Sequence, residues 1–545
     1  MRRLIFIIFL GISIQAFSQI EGTKYLVKFT DKDQSPYSLS QPEDYLSQRA
    51  IDRRNRQGIA MDITDIPIDP VYIQGVVAIG VKLIIRVKWS NALIIETNSQ
   101  EDLDAINNLS YVSKVVQVND PLLKKKSVNK FALEETFPLK SSNAGSIYGE
   151  AFNQIDMVNG ISLHENGFKG DGMLIAILDA GFTNVDKRTI FSSLWLNNQI
   201  LGTYDFVDPS TDVFSDHSHG TQVLSVMGGN LPDVFLGTAP EADFWLLRTE
   251  DDNSEFIIEE YNWIAGAAFA DSVGADIISS SLGYYEFDDV STSHVWADLD
   301  GNTIPVTQGA DLAASKGILV VNSAGNEGNN DWKYIIAPSD ADSALSIGAV
   351  YANGLITSFS SYGLESDSRV KPNIVAQGGS TVLANVNADD IQTNNGTSFS
   401  APLIAGMMAC LWQAKPNANN KELIDAVEQS SSKFSTPDNR YGYGIPDFSS
   451  AQLLLSVYDN HNSNNAFLVA PNPVSTVCYI QWNQSENNFE SLELIDIQGR
   501  IIYSELLNNQ NGVFKLSLEG YNKGIYFLRL KNSNQAHIQK IIKID

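Results

Sequence analysis

Residues Asn394-Asn395-Gly396-Thr397-Ser398-Phe399-Ser400-Ala401-Pro402 join a polar loop to an apolar run, Leu403–Ala414, with the composition of a buried helix. Ser398 would then stand in the first helical turn, where backbone N–H groups lack intrahelical partners and the positive end of the helix dipole points outward. That position suits a nucleophile and the oxyanion that its attack creates. Taken alone, such a stretch is more often a capped helix without chemistry. The remainder of the chain decides between the two interpretations.

The composition excludes several classes of protein. The chain has 545 residues, of which 43% are hydrophobic and 19% charged, as in a globular protein of about three domains. The net charge of −27 argues against nucleic acid as a partner, because no basic surface could neutralise phosphates. There are only two cysteines, Cys410 and Cys478, so a disulfide framework is not expected. Cys410 falls within the apolar run and is predicted to pack in a core.

The N-terminus has the pattern of a secretory signal peptide, residues 1–18. Met1-Arg2-Arg3 precedes the apolar run Leu4–Ile14, and the small-residue cleavage site Ala16-Phe17-Ser18 follows. We therefore expect an exported chain that begins near Gln19. No later stretch is long and apolar enough to predict a transmembrane segment.

Residues 19–122 predict a small α+β domain, and residues 123–147 an exposed linker. The linker contains Lys124-Lys125-Lys126 and shows no periodicity, as in segments where proteolytic nicking concentrates. The predicted strands and helices of the domain are Tyr25–Phe29, Pro42–Gln57, Ala92–Glu96, Gln100–Leu109 and Val115–Val118.

Residues 148–458 predict an α/β domain, doubly wound around a mainly parallel sheet. Strand-length runs that are apolar throughout alternate with helix-length segments, the pattern of a sheet covered on both faces. Functional sites in such sheets lie at the carboxyl ends of the strands. The predicted strands are Met173–Leu178, Phe244–Leu247, Ile277–Ser280, Ile318–Val321 and Leu345–Val350, and the helices include Phe256–Val273 and Gln308–Lys316.

Polar residues stand at those strand ends and at helix starts. Asp179 ends the first strand, His219-Gly220-Thr221 opens an apolar helix, and Asn326 follows the fourth strand. Each alone is explained by a turn or a surface position. Together with Ser398 they supply the nucleophile, base, orienting carboxylate and oxyanion donor that acyl transfer requires. Ser281-Leu282-Gly283 adds a backbone edge with which an extended peptide can pair.

These segments resemble the signature blocks of the subtilisin family of serine peptidases, and they occur in that family's order, Asp, His and Ser. The resemblance extends over about residues 148–457. The blocks are Asp179-Ala180-Gly181, His219-Gly220-Thr221, Ser281-Leu282-Gly283, Gly325-Asn326 and Gly396–Pro402.

The resemblance implies a role for each block. Ser398 would be the nucleophile, His219 the general base and then acid, and Asp179 the group that holds the imidazole in its useful tautomer. Asn326 and the backbone N–H of Ser398 would form the oxyanion hole. The segment Ser281-Leu282-Gly283 would bind substrate.

Three further features concern how closely this chain follows the family. Gln222 stands where many members carry a second histidine after His-Gly-Thr. No cofactor is implied as required; structural calcium is common in the family, but no run of ligands here matches a recognised calcium loop. The acidic segment Glu250–Glu255 is either a solvated loop or a rim that favours basic substrate residues.

By the same resemblance, residues 19–122 would be a propeptide that assists folding and plugs the site until it is removed. Self-cleavage between Leu123 and Ser146 is the corresponding hypothesis.

Residues 459–465 predict a short linker, and residues 466–545 a small β-sandwich. Pro471-Asn472-Pro473, Asp496–Arg500 and Gly524–Phe527 resemble the type A C-terminal sorting domain of Bacteroidetes, which directs proteins through the type IX secretion system. A carbohydrate- or cell-binding module is the alternative. The predicted strands are Val477–Trp482, Leu492–Ile497, Arg500–Glu505, Val513–Leu516, Gly524–Leu530 and Ile538–Ile544.

The sequence thus predicts a serine endopeptidase, secreted or held at the cell surface, that processes itself from a zymogen. Its expected partners are protein or peptide substrates and the type IX secretion machinery, reached through the periplasm. The alternative is a surface binding or adhesion protein that keeps the fold without the chemistry. A related acid peptidase with a glutamate base is disfavoured, because His219 occupies its block.

Overall fold

A computed structural model of the chain describes residues 22–125, 146–458, 466–482, 489–507, 512–533 and 535–544. The predicted signal peptide, most of the linker 123–147 and all of the linker 459–465 lie outside these residues. The described residues form an antiparallel N-terminal sheet with helices, a helix-covered parallel sheet, and a strand-rich C-terminal region.

The N-terminal region is an α+β unit, in keeping with its predicted class. Its elements are β1 (Lys24–Phe29), α1 (Gln48–Gln57), α2 (Pro70–Val77), β2 (Lys82–Val87), β3 (Ala92–Glu96), α3 (Gln100–Asn107) and β4 (Val112–Asn119). The strands pair antiparallel in the order β2-β3-β1-β4. The helix predicted from Pro42 is wrong in its start, because Ser47 caps α1 by accepting from the Ala50 N–H at 3.2 Å.

The central region is built on a parallel sheet in the strand order β13-β12-β11-β10-β5-β9-β6. Its elements are α4 (Phe152–Asp156), α5 (Ile161–Glu165), β5 (Leu174–Asp179), α6 (Ser192–Leu196), β6 (Ile200–Asp205), α7 (His219–Gly228), β7 (Asn230–Leu231), β8 (Phe235–Leu236), β9 (Asp243–Arg248), α8 (Ile258–Val273), β10 (Ile277–Ser280), α9 (Pro305–Ser315), β11 (Leu319–Ser323), β12 (Leu345–Val350), β13 (Ile374–Gln377), β14 (Thr381–Ala384), β15 (Ile391–Asn394), α10 (Thr397–Ala414), α11 (Asn420–Ser430) and α12 (Phe448–Tyr458).

The predicted doubly wound sheet is confirmed, with two strands that the sequence did not reveal. Both lie at the edges of the sheet. The strand β6 is partly exposed and interrupted by Gly202, whereas β13 has only four residues. Neither therefore has the long apolar run by which buried central strands are recognised.

Both faces of the sheet are covered. Along β5, Ile175 and Ile177 belong to the core that contains residues of α7 and α10, whereas Ala176 and Leu178 belong to the core that contains residues of α8 and α9. This alternation follows from the period of two in a strand. The helix α10 is buried over nearly its whole length, which fixes the position of its first turn.

The N-terminal sheet lies against α8. Leu26 and Ile94, on one face of that sheet, share a core with Trp263 of α8. The opposite face, which includes Val27, packs with residues of α2 and α3. Burial of apolar side chains on both faces makes this region an integral part of the structure.

Charged side chains on α1 enter the same interface. Arg53 Nη2 donates to Asp271 Oδ1 at 2.5 Å, and Arg54 donates to both Asp271 and Asp65 at 2.8 Å. These four side chains are fully buried. Lys316, which is almost completely buried, donates to the half-exposed Asp62 at 2.7 Å. We call this set the ionic interface.

The C-terminal end of α8 meets the N-terminal end of α1. The Ser47 N–H donates to the carbonyl oxygen of Ser272 at 2.9 Å, and Arg49 Nε donates to that of Gly274 at 3.0 Å. Gly274 has φ +88°, and a Cβ there would lie 2.8 Å from the backbone nitrogen of Ala50. Only glycine fits this junction.

The C-terminal region is the predicted sandwich of two antiparallel sheets, β16-β17-β20 and β19-β18-β21-β22. Its strands are β16 (Leu468–Ala470), β17 (Val477–Gln481), β18 (Ser491–Ile495), β19 (Ile501–Leu506), β20 (Val513–Ser517), β21 (Gly524–Lys531) and β22 (Ala536–Lys543). Cys478, Leu494 and Leu528 share its core. Across the described ranges, no helix has the length and apolar character needed to span a membrane.

Candidate active site

Asp179 and His219 meet at the carboxyl end of the central sheet. Asp179 is the last residue of β5, and His219 is the first residue of α7. The imidazole Nδ1 lies 2.8 Å from Asp179 Oδ1 and 3.1 Å from Oδ2, and both side chains are buried. Because an ionised carboxylate can only accept, Nδ1 carries the proton and Nε2 is left as the basic nitrogen.

Backbone contacts hold Asp179 in place. Its Oδ1 accepts from the Ala180 N–H at 2.8 Å, and its carbonyl oxygen accepts from the Thr249 N–H at 2.9 Å. Arg248 Nε donates to the Ala180 carbonyl at 3.1 Å while its Nη1 donates to Asp205 at 2.8 Å. Sequence reasoning missed Arg248, although an arginine closing a buried strand is a signal that it needs partners.

Close backbone approach positions His219. Its N–H donates to Nδ1 of His217 at 3.2 Å. A Cβ on Gly220 would lie 2.6 Å from the carbonyl oxygen of Gly181, whose own φ is +151°. The glycines of these two blocks therefore permit the strand end and the helix start to touch.

Ser398 is the second residue of α10, as the sequence predicts. Gly396, with φ +150°, precedes the helix, and Ser398 is 8% exposed. The ring of the next residue, Phe399, lies 5.9 Å from the His219 ring, measured between centroids. The first turn of α10, which contains Ser398, therefore packs against the histidine of the Asp179 pair through Phe399.

Asn326 lies in the exposed loop after β11 and contacts the same helix start. Its Oδ1 accepts from the backbone N–H and the hydroxyl of Thr397, each at 2.9 Å. These bonds orient the amide so that its NH₂ group is the end turned away from Thr397. The Ser398 N–H belongs to the first helical turn, which has no intrahelical acceptor. Asn326 thus contacts Thr397, the residue that precedes Ser398 in the helix.

Ser281-Leu282-Gly283 follows β10 and borders α10. The Ser281 hydroxyl donates to the carbonyl oxygen of Ser398 at 2.9 Å. Leu282 is buried, and its carbonyl accepts from Asn322 Nδ2 at 3.2 Å. Because successive residues of an extended segment face opposite ways, Ser281 and Gly283 face away from the side on which Leu282 lies.

Gln222, which departs from the family pattern, ties α7 to the strand before α10. It is buried, and its Oε1 accepts from Asn394 Nδ2 at 3.3 Å.

Burial raises the pKa of the Cys410 thiol far above its ordinary value, as expected of a cysteine that packs in a core.

A group of carboxylates adjoins the site behind the segment 281–283. Glu250, Glu255 and Glu259 each place one oxygen within 4.8 Å of the others, and the Tyr284 hydroxyl donates to Glu250 at 2.9 Å. Burial, and then these negative charges, raise the pKa of Tyr284. Among the described residues these three carboxylates could hold a metal ion.

Family models match three parts of the chain. A model of the "Subtilase family" matches residues 170–444. A "Peptidase S8 propeptide domain, Bacteroidota" matches residues 24–132, and a "Secretion system C-terminal sorting domain" matches residues 468–544. The resemblance read from the signature blocks and from the tail is thereby confirmed. The subtilase and sorting domains indicate a secreted or cell-surface protein.

Individual relatives are 19–28% identical to this chain over the aligned residues. The thermophilic serine proteinase of Bacillus sp. (strain AK1) is 27% identical over 278 residues, 50% of this chain and 60% of that protein. Subtilisin NAT of Bacillus subtilis subsp. natto is 28% identical over 294 residues, 53% of this chain and 68% of the relative. The crystal structure of MycP1 from Mycobacterium smegmatis covers 60% of this chain and 89% of its own, at 19% identity and a TM-score of 0.44.

Proposed function

Because this chain belongs to the subtilase family, we propose that it is a serine endopeptidase that hydrolyses peptide bonds in proteins through an acyl-enzyme on Ser398. One observation carries the proposal. The buried Asp179–His219 pair lies against the helix start that presents Ser398, with the oriented amide of Asn326 beside it.

In the proposed mechanism each group has one step. As Ser398 Oγ attacks the carbonyl carbon of the substrate, His219 Nε2 takes the hydroxyl proton, and Asp179 stabilises the imidazolium. The Ser398 N–H and the Asn326 amide donate to the resulting oxyanion. When the C–N bond breaks, His219 returns the proton to the leaving amine. Water then attacks the acyl-enzyme by the same route and releases Ser398.

The N-terminal region is proposed to be a propeptide that the enzyme removes by cleaving its own chain between Leu123 and Ser146. The match to a propeptide domain and the packing of this region on α8 support the proposal. We expect a Ser398→Ala chain to remain at full exported length, whereas the parent chain shortens. An active preparation that contains only unshortened chains would contradict self-processing.

The C-terminal sandwich is proposed to direct export by the type IX machinery. Deletion of residues 466–545 should retain the protein in the periplasm. Normal export of the shortened chain would refute this role and favour a binding module.

Labelling with a fluorophosphonate tests the chemistry directly. We expect the parent chain to be labelled and Ser398→Ala to remain unlabelled. Ser400→Ala is the matched control, because Ser400 lies on the same helix and donates to the Thr397 carbonyl at 3.0 Å. Absence of labelling in a folded parent chain would instead support the alternative, a surface binding protein without peptidase activity.

A further inference from the structure

Two segments beside the candidate site form one continuous surface. Residues 250–255 follow β9, and residues 284–288 continue the edge that begins at Ser281. The Tyr284 hydroxyl joins them by its bond to Glu250, and the Asp288 N–H donates to the Glu255 carbonyl at 2.6 Å. We call this surface the acidic wall; its carboxylates are Asp251, Asp252, Glu255, Glu286 and Asp288, and the buried Glu250 adjoins them.

Lysines of this chain already lie on the acidic wall. Lys125 Nζ donates to the carbonyl oxygen of Phe287 at 3.2 Å and lies 3.6 Å from Glu286 Oε1. Burial raises the pKa of Asp251, but hydrogen bonds from its own loop and the positive charge of Lys124 outweigh this and leave the pKa below its ordinary value. The start of the linker that follows the N-terminal region therefore brings two lysine side chains to this surface.

A cavity next to Glu286 is also suited to basic side chains. It has a volume of about 730 Å³ and is lined by the aromatic rings of Tyr285, Trp296 and Trp332 together with Glu286 and Asp331. Aromatic faces attract cations, and they also cover the aliphatic stems of lysine and arginine. Carboxylates at the rim add the charge that an ammonium or guanidinium group needs.

We infer that the acidic wall and this cavity select basic side chains on the N-terminal side of the cleaved bond, first in the chain's own Lys124-Lys125 and then in substrate proteins. The inference rests on the proposed peptidase function and deepens it by naming the substrate class. The two lysines precede most of the segment in which self-cleavage is proposed. The wall also connects to the nucleophile, because the Ser281 hydroxyl donates to the carbonyl of Ser398.

A metal ion is the competing ligand for part of this surface, since Glu250, Glu255 and Glu259 converge there. The observed lysines favour a basic peptide, and the two ligands differ in their response to a chelator. A chelator leaves a preference for basic peptides unchanged, whereas it removes the ion from a metal site.

The experiment is a digest of a proteome-derived peptide library, with cut sites read by mass spectrometry. For the parent enzyme we expect lysine and arginine to be enriched about threefold to tenfold within the few residues N-terminal to the cut, and less so at high salt, which screens exposed charges. Asp251→Asn combined with Glu286→Gln should remove the enrichment. Glu241→Gln is the matched control, because Glu241 is an exposed acid at the opposite end of β9.

Fluorophosphonate labelling, run in parallel, separates the two proposals. A labelled parent enzyme without basic enrichment overturns this inference and leaves the peptidase function standing. An enrichment that survives in the labelled double variant, or that a chelator abolishes in the parent, also overturns it. A parent enzyme that is neither labelled nor cleaves the library overturns both.

Discussion

Two buried ionic clusters stand at opposite ends of neighbouring central strands in the same sheet. Asp179 and His219 pair at the carboxyl end of β5, whereas the ionic interface groups Arg53 and Arg54 with Asp271 near the start of β10. Apart from the half-exposed Asp62, the side chains of both clusters are buried. They differ in what the basic group can do, since guanidinium groups stay protonated and are enclosed by carboxylates, whereas the imidazole keeps a second nitrogen that can accept and return a proton.

Burial and ion pairing alone do not mark an active site. The ionic interface is the more extensive of the two, but its charges are matched between two regions of the chain and can only hold them together. The Asp179–His219 pair has beside it the helix start with the proposed nucleophile, Ser398, and the oriented amide of Asn326. Substitutions should therefore affect the reaction rate at the Asp179–His219 pair and the stability at the ionic interface.

The sharpest test of this contrast is Asp179→Asn. An asparagine can donate to Nδ1 of His219, which would move the imidazole proton to Nε2 and leave no base for Ser398. We expect kcat to fall by about 10⁴-fold. Thermal unfolding should change little, because the side chains have nearly the same shape. A loss below about 100-fold would mean that this carboxylate does not orient the base.

The stabilising role of the ionic interface is tested by Asp271→Asn in a Ser398→Ala chain, which is expected to keep the N-terminal region attached. The change leaves Arg53 and Arg54 buried with too little negative charge, so the free energy of unfolding should fall by about 3–5 kcal/mol. Chemical denaturation measures it. Asp425→Asn is the control, since its exposed pair with Lys421 is worth at most about 1 kcal/mol. Equal effects of the two changes would contradict a structural role for the ionic interface.

Asn326→Ala returns to the candidate site with a smaller expected effect. Loss of the donor should lower kcat by about 10²–10³-fold and leave KM nearly unchanged, because the oxyanion forms only during reaction. Steady-state kinetics on one peptide measures both. Asn329→Ala, an exposed neighbour in the same loop, should match the parent enzyme. If KM rises and kcat stays constant, Asn326 binds substrate instead.

The smallest effect is a pH dependence at the ionic interface. Burial raises the pKa of Asp62, but hydrogen bonds from Lys316 and Thr64 outweigh it and lower the pKa to about 2. Because its pKa is lower in the folded than in the unfolded state, the ionised Asp62 stabilises the fold above pH 3.8. This stabilisation is lost as the pH falls through 2. Asp62 is half exposed, so we expect Asp62→Asn to cost less than about 1 kcal/mol at pH 7 and nothing near pH 2.

Denaturation of both chains at pH 7, 4.5 and 2.5 measures this difference, in the Ser398→Ala background. A difference that disappears between pH 7 and 5 would show that another group controls the interface.

Local patterns in the sequence predict the central sheet and the candidate site better than they predict the contacts between regions. The strands β10 and β12 have the predicted bounds, and Asp179, His219 and Ser398 stand at the predicted strand end and helix starts. Continuous apolar runs and glycine-rich blocks carry this information locally.

The remaining contacts join residues far apart in the chain. Arg54 and Asp271 are separated by 217 positions, and Thr397 orients Asn326 across 71. Lys125 reaches Phe287 across 162. No periodicity in one segment specifies such partners, and only the folded chain reveals that a basic linker end lies on an acidic surface.

The junction of α8 with α1 has a consequence for folding. The last carbonyls of a helix need donors, and here Ser47 and Arg49 supply them to Ser272 and Gly274. The helix α8, which follows the acidic segment 250–255, thus takes part of its C-terminal cap from a separate region of the chain. A central domain made without residues 22–125 would have to complete that helix with water in place of those donors, so the two regions are best regarded as one cooperative folding unit.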